Sequence, residues 1–142
     1  MTARAFVDSN LLVYAHDRGA GEKHATARAL VRDLWRDRAG VVSTQVLQEF
    51  YVNVRRKAAY PVPLPEARRL VEDYLAWTLV VNDGRSIVEA LAIEARYRLS
   101  FWDALIVQAA QAAGVETLYS EDLSHGQSYG SVTVVNPFAD EP

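Results

Sequence analysis

Residues 40–51 read Gly40-Val41-Val42-Ser43-Thr44-Gln45-Val46-Leu47-Gln48-Glu49-Phe50-Tyr51, and within them the hydrophobic period changes without a break. Residues 40–42 form a short apolar run with no alternation, as a strand covered on both faces requires. From Thr44 onward, Val46, Leu47, Phe50, Tyr51 and Val54 recur at helical spacing and put one apolar stripe on a helix over residues 44–57. The same pattern repeats outward. Apolar runs at 5–7, 79–81, 116–119 and 132–135 read as strands, and helical periodicity fills 24–38, 65–77, 86–98 and 101–113. Strands alternating with helices predict a parallel sheet covered on both faces, which binds ligands beyond the carboxyl ends of its strands where the strand order reverses.

The chain has 142 residues, half of them apolar, and no composition shift marks a second core, so residues 1–142 are expected to form a single domain. The one linker-like stretch, Tyr60-Pro61-Val62-Pro63-Leu64-Pro65, is too short to separate domains and reads as a helix-to-helix connection. Cysteine is absent, which removes disulfides, thiol catalysis and thiolate metal sites. The opening apolar run is interrupted by Asp8, so no signal peptide is expected, and no run nears the ~20 apolar residues that span a bilayer. A cytoplasmic protein with no membrane contact is the expectation. A formal charge of −3 argues against gripping nucleic acid through bulk positive field. The basic residues are nearly all arginine, lysine occurring only at Lys23 and Lys57, and arginine is the better bidentate partner for phosphate.

Four acids stand where the sheet geometry directs attention. Asp8 follows the first strand and Asp122 the fourth, Glu49 lies early in the helix after the second, and Asp103 opens the helix over 101–113. Each has an ordinary explanation: Asp8 suits a helix N-cap, Glu49 a helix surface, Asp103 a capping box with Ser100, and Asp122 a loop. The apolar neighbours of Asp103, namely Phe101, Trp102, Ala104, Leu105 and Ile106, nevertheless surround a carboxylate that is costly to leave unpaired. All four acids can reach one rim. Carboxylates ~4 Å apart repel by about 4 kcal/mol at an effective dielectric near 20, and a hard divalent cation with oxygen ligands offsets that repulsion. Spacing does not decide whether Glu121 or Asp122 turns inward.

Phe6-Val7-Asp8-Ser9-Asn10, Ser43-Thr44-Gln45-Val46-Leu47-Gln48-Glu49-Phe50, Phe101-Trp102-Asp103-Ala104-Leu105-Ile106 and Leu118-Tyr119-Ser120-Glu121-Asp122-Leu123 are spread over almost the whole chain. In this order they resemble the four acidic motifs of PIN-domain nucleases, and more narrowly of VapC-type toxins from toxin–antitoxin modules. Asp122-Leu123-Ser124-His125-Gly126-Gln127 with Val135-Asn136-Pro137-Phe138 is similar to one branch of that group. The resemblance implies a three-layer α/β/α PIN-like fold with a central parallel sheet of roughly five strands, a homodimer, and endonucleolytic cleavage of RNA with Mg²⁺ or Mn²⁺. It implies that Asp8, Glu49, Asp103 and Asp122 are the catalytic, metal-holding acids and that a cognate antitoxin masks them. Asn10, Thr44 and Ser120 are carried as substrate-contacting or ligand-orienting groups, with Ser9 and Ser43 competing for that role. The number of metals, the RNA target and the antitoxin stay open. A catalytically silent PIN scaffold that binds RNA or a partner is the alternative.

Other residues draw the eye with less reason. His16, His24 and His125 are too scattered for a metal cluster, although His125 is near enough to Asp122 to touch substrate. Arg28, Arg32 and Arg36 form a row that reads as a solvated helix face paired with Asp33 and Asp37, and Arg96 and Arg98 are candidate phosphate contacts. Trp35, Tyr51 and Trp77 read as core or interface. Trp102 reads as packed beside Asp103, with base stacking as the second account. A phosphoacceptor receiver domain lacks its paired acids and final lysine here, a dehalogenase-type phosphatase lacks an aspartate at Asn10, and no phosphate-binding glycine loop is present.

Overall fold

The computed structural model describes residues 2–139. Its elements are β1 (Ala5–Val7), α1 (Ser9–His16), a 3₁₀ turn (Arg18–Ala20), α2 (Glu22–Asp37), β2 (Gly40–Ser43), α3 (Thr44–Arg56), α4 (Leu64–Tyr74), β3 (Thr78–Val80), α5 (Gly84–Tyr97), α6 (Phe101–Ala112), β4 (Thr117–Tyr119), β5 (Ser128–Tyr129) and β6 (Val132–Val135). The sheet order is β3-β2-β1-β4-β6-β5. The first five strands in that order are mutually parallel, and β5 pairs antiparallel with β6. The expected five parallel strands are therefore present, with a sixth beside them. β5 escaped the sequence reading because two residues carry no period; its return turn passes through Gly130 at φ 63°.

Topology explains the layers. From β1 through β2 to β3 the chain steps in one direction, and right-handed crossovers put α1 to α4 on one face. The return from β3 to β4 runs the other way, which puts α5 and α6 on the opposite face. The packing agrees: α1 lies against α2 and α3, α3 against α4, and α5 against α6. The direction reverses between β1 and β4, whose carboxyl ends lead into Asp8 and Ser120. That is the crevice where such sheets place ligands.

β1 and β2 are buried throughout, which is why their sequences are unbroken apolar runs. β3 departs from that expectation. It starts one residue early and is half exposed, because it is the edge strand. α1 also went unread as a helix: Ser9, Leu11, Leu12, Val13 and Ala15 are all buried, so no polar face remains to show the period.

At the far end of the sheet from this crevice an aromatic cluster closes the core. Tyr74 stands edge-on to Trp77 at 5.1 Å and to Phe50 at 5.6 Å, and Trp35 lies 5.4 Å from Trp77. The Trp77 indole presses on β2 at Gly40, where a Cβ would stand 2.3 Å from a ring carbon. Gly40→Ala is therefore expected to force the strand and indole apart and cost about 2 kcal/mol, within the usual range for overpacking. A lowered urea midpoint with an unchanged slope would register it; an unchanged midpoint would show that the indole moves aside freely.

The proline-bearing stretch joins α3 to α4, as expected. A residue the sequence reading passed over pins it. Asp17 accepts from Gly19 N (3.0 Å) and Tyr60 N (2.9 Å) on Oδ1, and from Ala59 N (2.8 Å) on Oδ2.

Candidate active site

Asp8 leaves β1 as the N-cap of α1, with its main-chain N–H bonded to Tyr119 O of β4. Its carboxylate is only 3% exposed. Oδ1 accepts from Ser9 N at 2.7 Å and Oδ2 from the Ser120 hydroxyl at 2.8 Å. The capping explanation is thus correct but incomplete, since a cap alone has no reason to be buried. Burial pushes the carboxyl up to about 7; the bonds from Ser120 and Ser9 oppose this, while the charges of Glu49 and Asp122 add to it.

Glu49 arrives from α3 with both oxygens engaged: Oε1 accepts from the Ser9 hydroxyl at 3.1 Å and Oε2 from Gln45 Nε2 at 3.4 Å. Gln45 sits one helical turn before Glu49 on the same face, and its Nε2 also donates to Trp102 O of α6 at 3.2 Å. It thereby ties the helix of Glu49 to the helix of Asp103. Ser9 and Gln45 gained no clear role from sequence, although the four-residue offset of Gln45 was a signal that could have found it.

Asp103 lies in the first turn of α6, where its N–H donates to the Ser100 hydroxyl at 3.1 Å. Partial burial raises its carboxyl above the ordinary range; the Ser100 hydroxyl opposes that and the charge of Asp122 reinforces it. Asp122 is positioned by Ser120, whose hydroxyl accepts from Asp122 N at 3.1 Å while donating to Asp8. Ser120 therefore connects the two strand-end acids. Through Asp8, Asp103 and Asp122, the four carboxylates form one electrostatically linked series.

Tertiary contacts separate Glu121 from Asp122. Glu121 accepts from the Tyr14 hydroxyl at 2.7 Å and pairs with Lys23. Burial works against its ionisation, but Lys23 and Tyr14 outweigh that and hold the carboxyl below its usual range. Among the described residues, no lysine, arginine or histidine forms an ion pair with Asp8, Glu49, Asp103 or Asp122.

The smaller candidates divide. Asn10 accepts from Glu121 N at 3.4 Å and leaves a buried Nδ2 without a partner. Thr44 donates to Asn82 Oδ1 at 2.9 Å, so its hydroxyl serves the loop after β3 and touches no acid. Ser43 caps α3 through Val46 N. His125 Nδ1 accepts from Asn136 N at 2.9 Å. His16 is bonded to the Tyr74 hydroxyl at 2.7 Å, and burial lowers its pKa to about 4. Arg36 alone of its row pairs with Asp33 and Asp37, and Arg96 lies over the Tyr97 ring at 5.1 Å. The packed placement expected for Trp102 is not found: its side chain is 63% exposed.

The residues fit a hard divalent cation by chemistry: four oxygen donors of like charge, one of them buried, and no cationic side chain paired with them. Among the described residues no three acidic or histidine side chains stand close enough together to hold a metal ion between them. Several clefts lie away from the acids. Three that share His16 lie on the α2–α4 side: two, of about 600 and 430 Å³, open between α2 and α4, and another of about 430 Å³ lies between the 3₁₀ turn and the α3–α4 connection. The acids occupy an open rim.

Residues 5–126 match the family described as PIN domain. Among solved structures the chain is similar to Mycobacterium tuberculosis VapC20, a toxin described as cleaving the sarcin–ricin loop, at 18% identity and a TM-score of 0.61 over 80% of this chain and 86% of that one. It is similar to a toxin–antitoxin complex from Klebsiella pneumoniae at 18% identity and a TM-score of 0.69, covering 94% and 98% of the two chains. It also resembles VapBC2 from Rickettsia felis, bound to a fragment of promoter DNA, at 14% identity and a TM-score of 0.63 over 92% and 96%. No curated protein is similar enough in sequence to match.

Proposed function

Because this chain belongs to the PIN-domain family, we propose that it is a divalent-metal-dependent endoribonuclease and the toxin of a toxin–antitoxin pair. The observation that carries the reading is the convergence of Asp8, Glu49, Asp103 and Asp122 at the strand-order reversal, where Ser9, Ser120 and Gln45 tie their elements together and, among the described residues, no cationic side chain pairs with them. An open rim also suits a polymer lying across the surface better than a small molecule enclosed in a pocket.

Asp8, Glu49, Asp103 and Asp122 would hold Mg²⁺ or Mn²⁺. When bound, such a cation polarises the phosphoryl group, lowers the pKa of water and stabilises the leaving oxygen. The chain supplies orientation. Ser120 fixes one oxygen of Asp8 and the backbone approach of Asp122, while Ser9 and Gln45 each hold one oxygen of Glu49. Burial raises the carboxyls of both Asp8 and Asp103, that of Asp8 to about 7, which makes Asp8 the acid whose protonation changes near neutral pH.

The similar toxin–antitoxin complexes support a protein antitoxin that masks the rim, an arginine being the natural guest among four carboxylates. Exposed Ile87, Val88 and Leu91 on α5 support a homodimer through that helix. No described helix is long and apolar enough to cross a membrane.

Purified protein, shown to be free of any small bound partner, should cleave a pool of single-stranded and structured RNA in Mg²⁺ or Mn²⁺ and stop when EDTA is added. Folded protein that leaves every RNA intact in both metals would refute the nuclease and leave a binding scaffold. Cleavage that persists in EDTA would refute the metal dependence.

A further inference from the structure

We propose that the Trp102 indole is the platform on which the RNA stacks one unpaired base next to the cleavage site, and that Gln45 fixes the platform relative to the acids. The inference rests on the nuclease reading and deepens it, since it limits the substrate to RNA with an unstacked nucleotide at that position.

A protein with a net charge of −3 and four acids at its active rim cannot draw much affinity for RNA from its field. Base stacking on an aromatic ring is the sequence-tolerant alternative. Trp102 directly precedes Asp103 in the first turn of α6, yet it is 63% exposed although most of the residues that follow it in the helix are buried. Its indole N–H has no partner among the described residues, so the ring's donor is not spent on the fold, and its ring contact is the edge-on one with Phe101. Phe101 stands edge-on to it at 5.2 Å and 75°, and the main-chain carbonyl of Trp102, which places this turn of α6, accepts from the Gln45 Nε2 that also touches Glu49. A solvent-facing aromatic next to Asp103, on a turn of α6 tied to α3, is costly to expose without a ligand, and an unpaired base beside the scissile phosphate is the ligand whose chemistry matches. Gln45 then acts as a positioning residue that sets the distance between platform and Glu49.

The test uses a short single-stranded RNA cleaved in Mn²⁺ by wild type, Trp102→Phe and Trp102→Ala, with an abasic nucleotide moved along the strand one position at a time. Trp102→Ala should raise KM about tenfold to a hundredfold with a much smaller change in kcat, and Trp102→Phe should stay within a few-fold of wild type. At one abasic position, wild type should lose the same factor and Trp102→Ala should lose nothing further. Mixing the strand with wild type in EDTA should quench indole emission by an amount missing from Trp102→Ala. Gln45→Met should raise KM while leaving the melting temperature near wild type. An unchanged KM in Trp102→Ala, or a penalty indifferent to every abasic position, overturns the platform while leaving the nuclease intact. Loss of a dimer in Trp102→Ala, with equal penalties on all strands, assigns the ring to a subunit contact and overturns it too. A wild type that cleaves no strand overturns the nuclease reading itself.

Discussion

Asp8→Asn is expected to cut RNA cleavage by at least about a thousandfold and, at pH 8 without added metal, to raise the melting temperature of the protein. The loss follows from a cation's contribution of several kcal/mol to transition-state charge stabilisation, of which ~4 kcal/mol corresponds to a factor of a thousand. The gain follows from the burial of Asp8. Its carboxyl titrates near 3.8 in the unfolded chain and about 7 in the fold. Between those values the folded protein keeps a proton that the unfolded chain has released, so stability falls as pH rises from about 4 to 7 and stays low above that. The interval corresponds to about 4 kcal/mol. Asparagine recovers part of this, about 2 kcal/mol or 6 °C, because it gives up the charge-assisted bonds from Ser9 and Ser120. The advantage should vanish as the pH is lowered towards 4. Mn²⁺ should raise the melting temperature of wild type and leave that of Asp8→Asn nearly unchanged. A variant less stable than wild type at pH 8 would mean that Asp8 is a structural cap and little else.

Asp17→Ala should be the most damaging single change outside the core, at about 3 kcal/mol. It strands the amides of Gly19, Ala59 and Tyr60 in a part-buried corner, and a buried donor without a partner costs about 1–3 kcal/mol. Against the cost of burial, the amides of Tyr60, Ala59 and Gly19 hold the Asp17 carboxyl below its usual range. A depressed carboxyl stabilises the fold above the unfolded value near 3.8, and that contribution is lost as pH falls through the folded value. The difference between wild type and Asp17→Ala in urea unfolding should therefore be full at pH 7 and shrink below pH 4. A difference that does not change with pH would show that the charged form has no special part in holding the corner.

What could be read in the sequence follows burial. β1, β2 and α3 announce themselves because a two-sided strand and an amphipathic helix leave distinct periods. α1 is buried nearly all round, β3 is an edge and β5 is two residues long, so none leaves a clean pattern. The acidic motifs were legible as a set by resemblance and by their positions after strands. Their environment was not, because it is made by contacts between distant segments. Ser9 reaches Glu49 across forty positions, and Lys23 with Tyr14 claims Glu121 from the other end of the chain. No spacing rule separates Glu121 from Asp122; the fold does so by giving Glu121 a cation. The same logic explains Trp102, whose apolar neighbours in sequence pack inward while its own ring points out.

The central claim is that one set of acids, and not simply an acidic rim, performs the cleavage. Its most direct test is the rate of RNA cleavage in Mn²⁺ by Asp8→Asn, Glu49→Gln, Asp103→Asn, Asp122→Asn and Glu121→Gln, each shown folded by circular dichroism. The account predicts that the first four fall by about a hundredfold or more, and that Glu121→Gln, whose carboxylate serves Tyr14 and Lys23, stays within tenfold of wild type. Cleavage that survives in any of the four, or collapses in Glu121→Gln instead of Asp122→Asn, would contradict it.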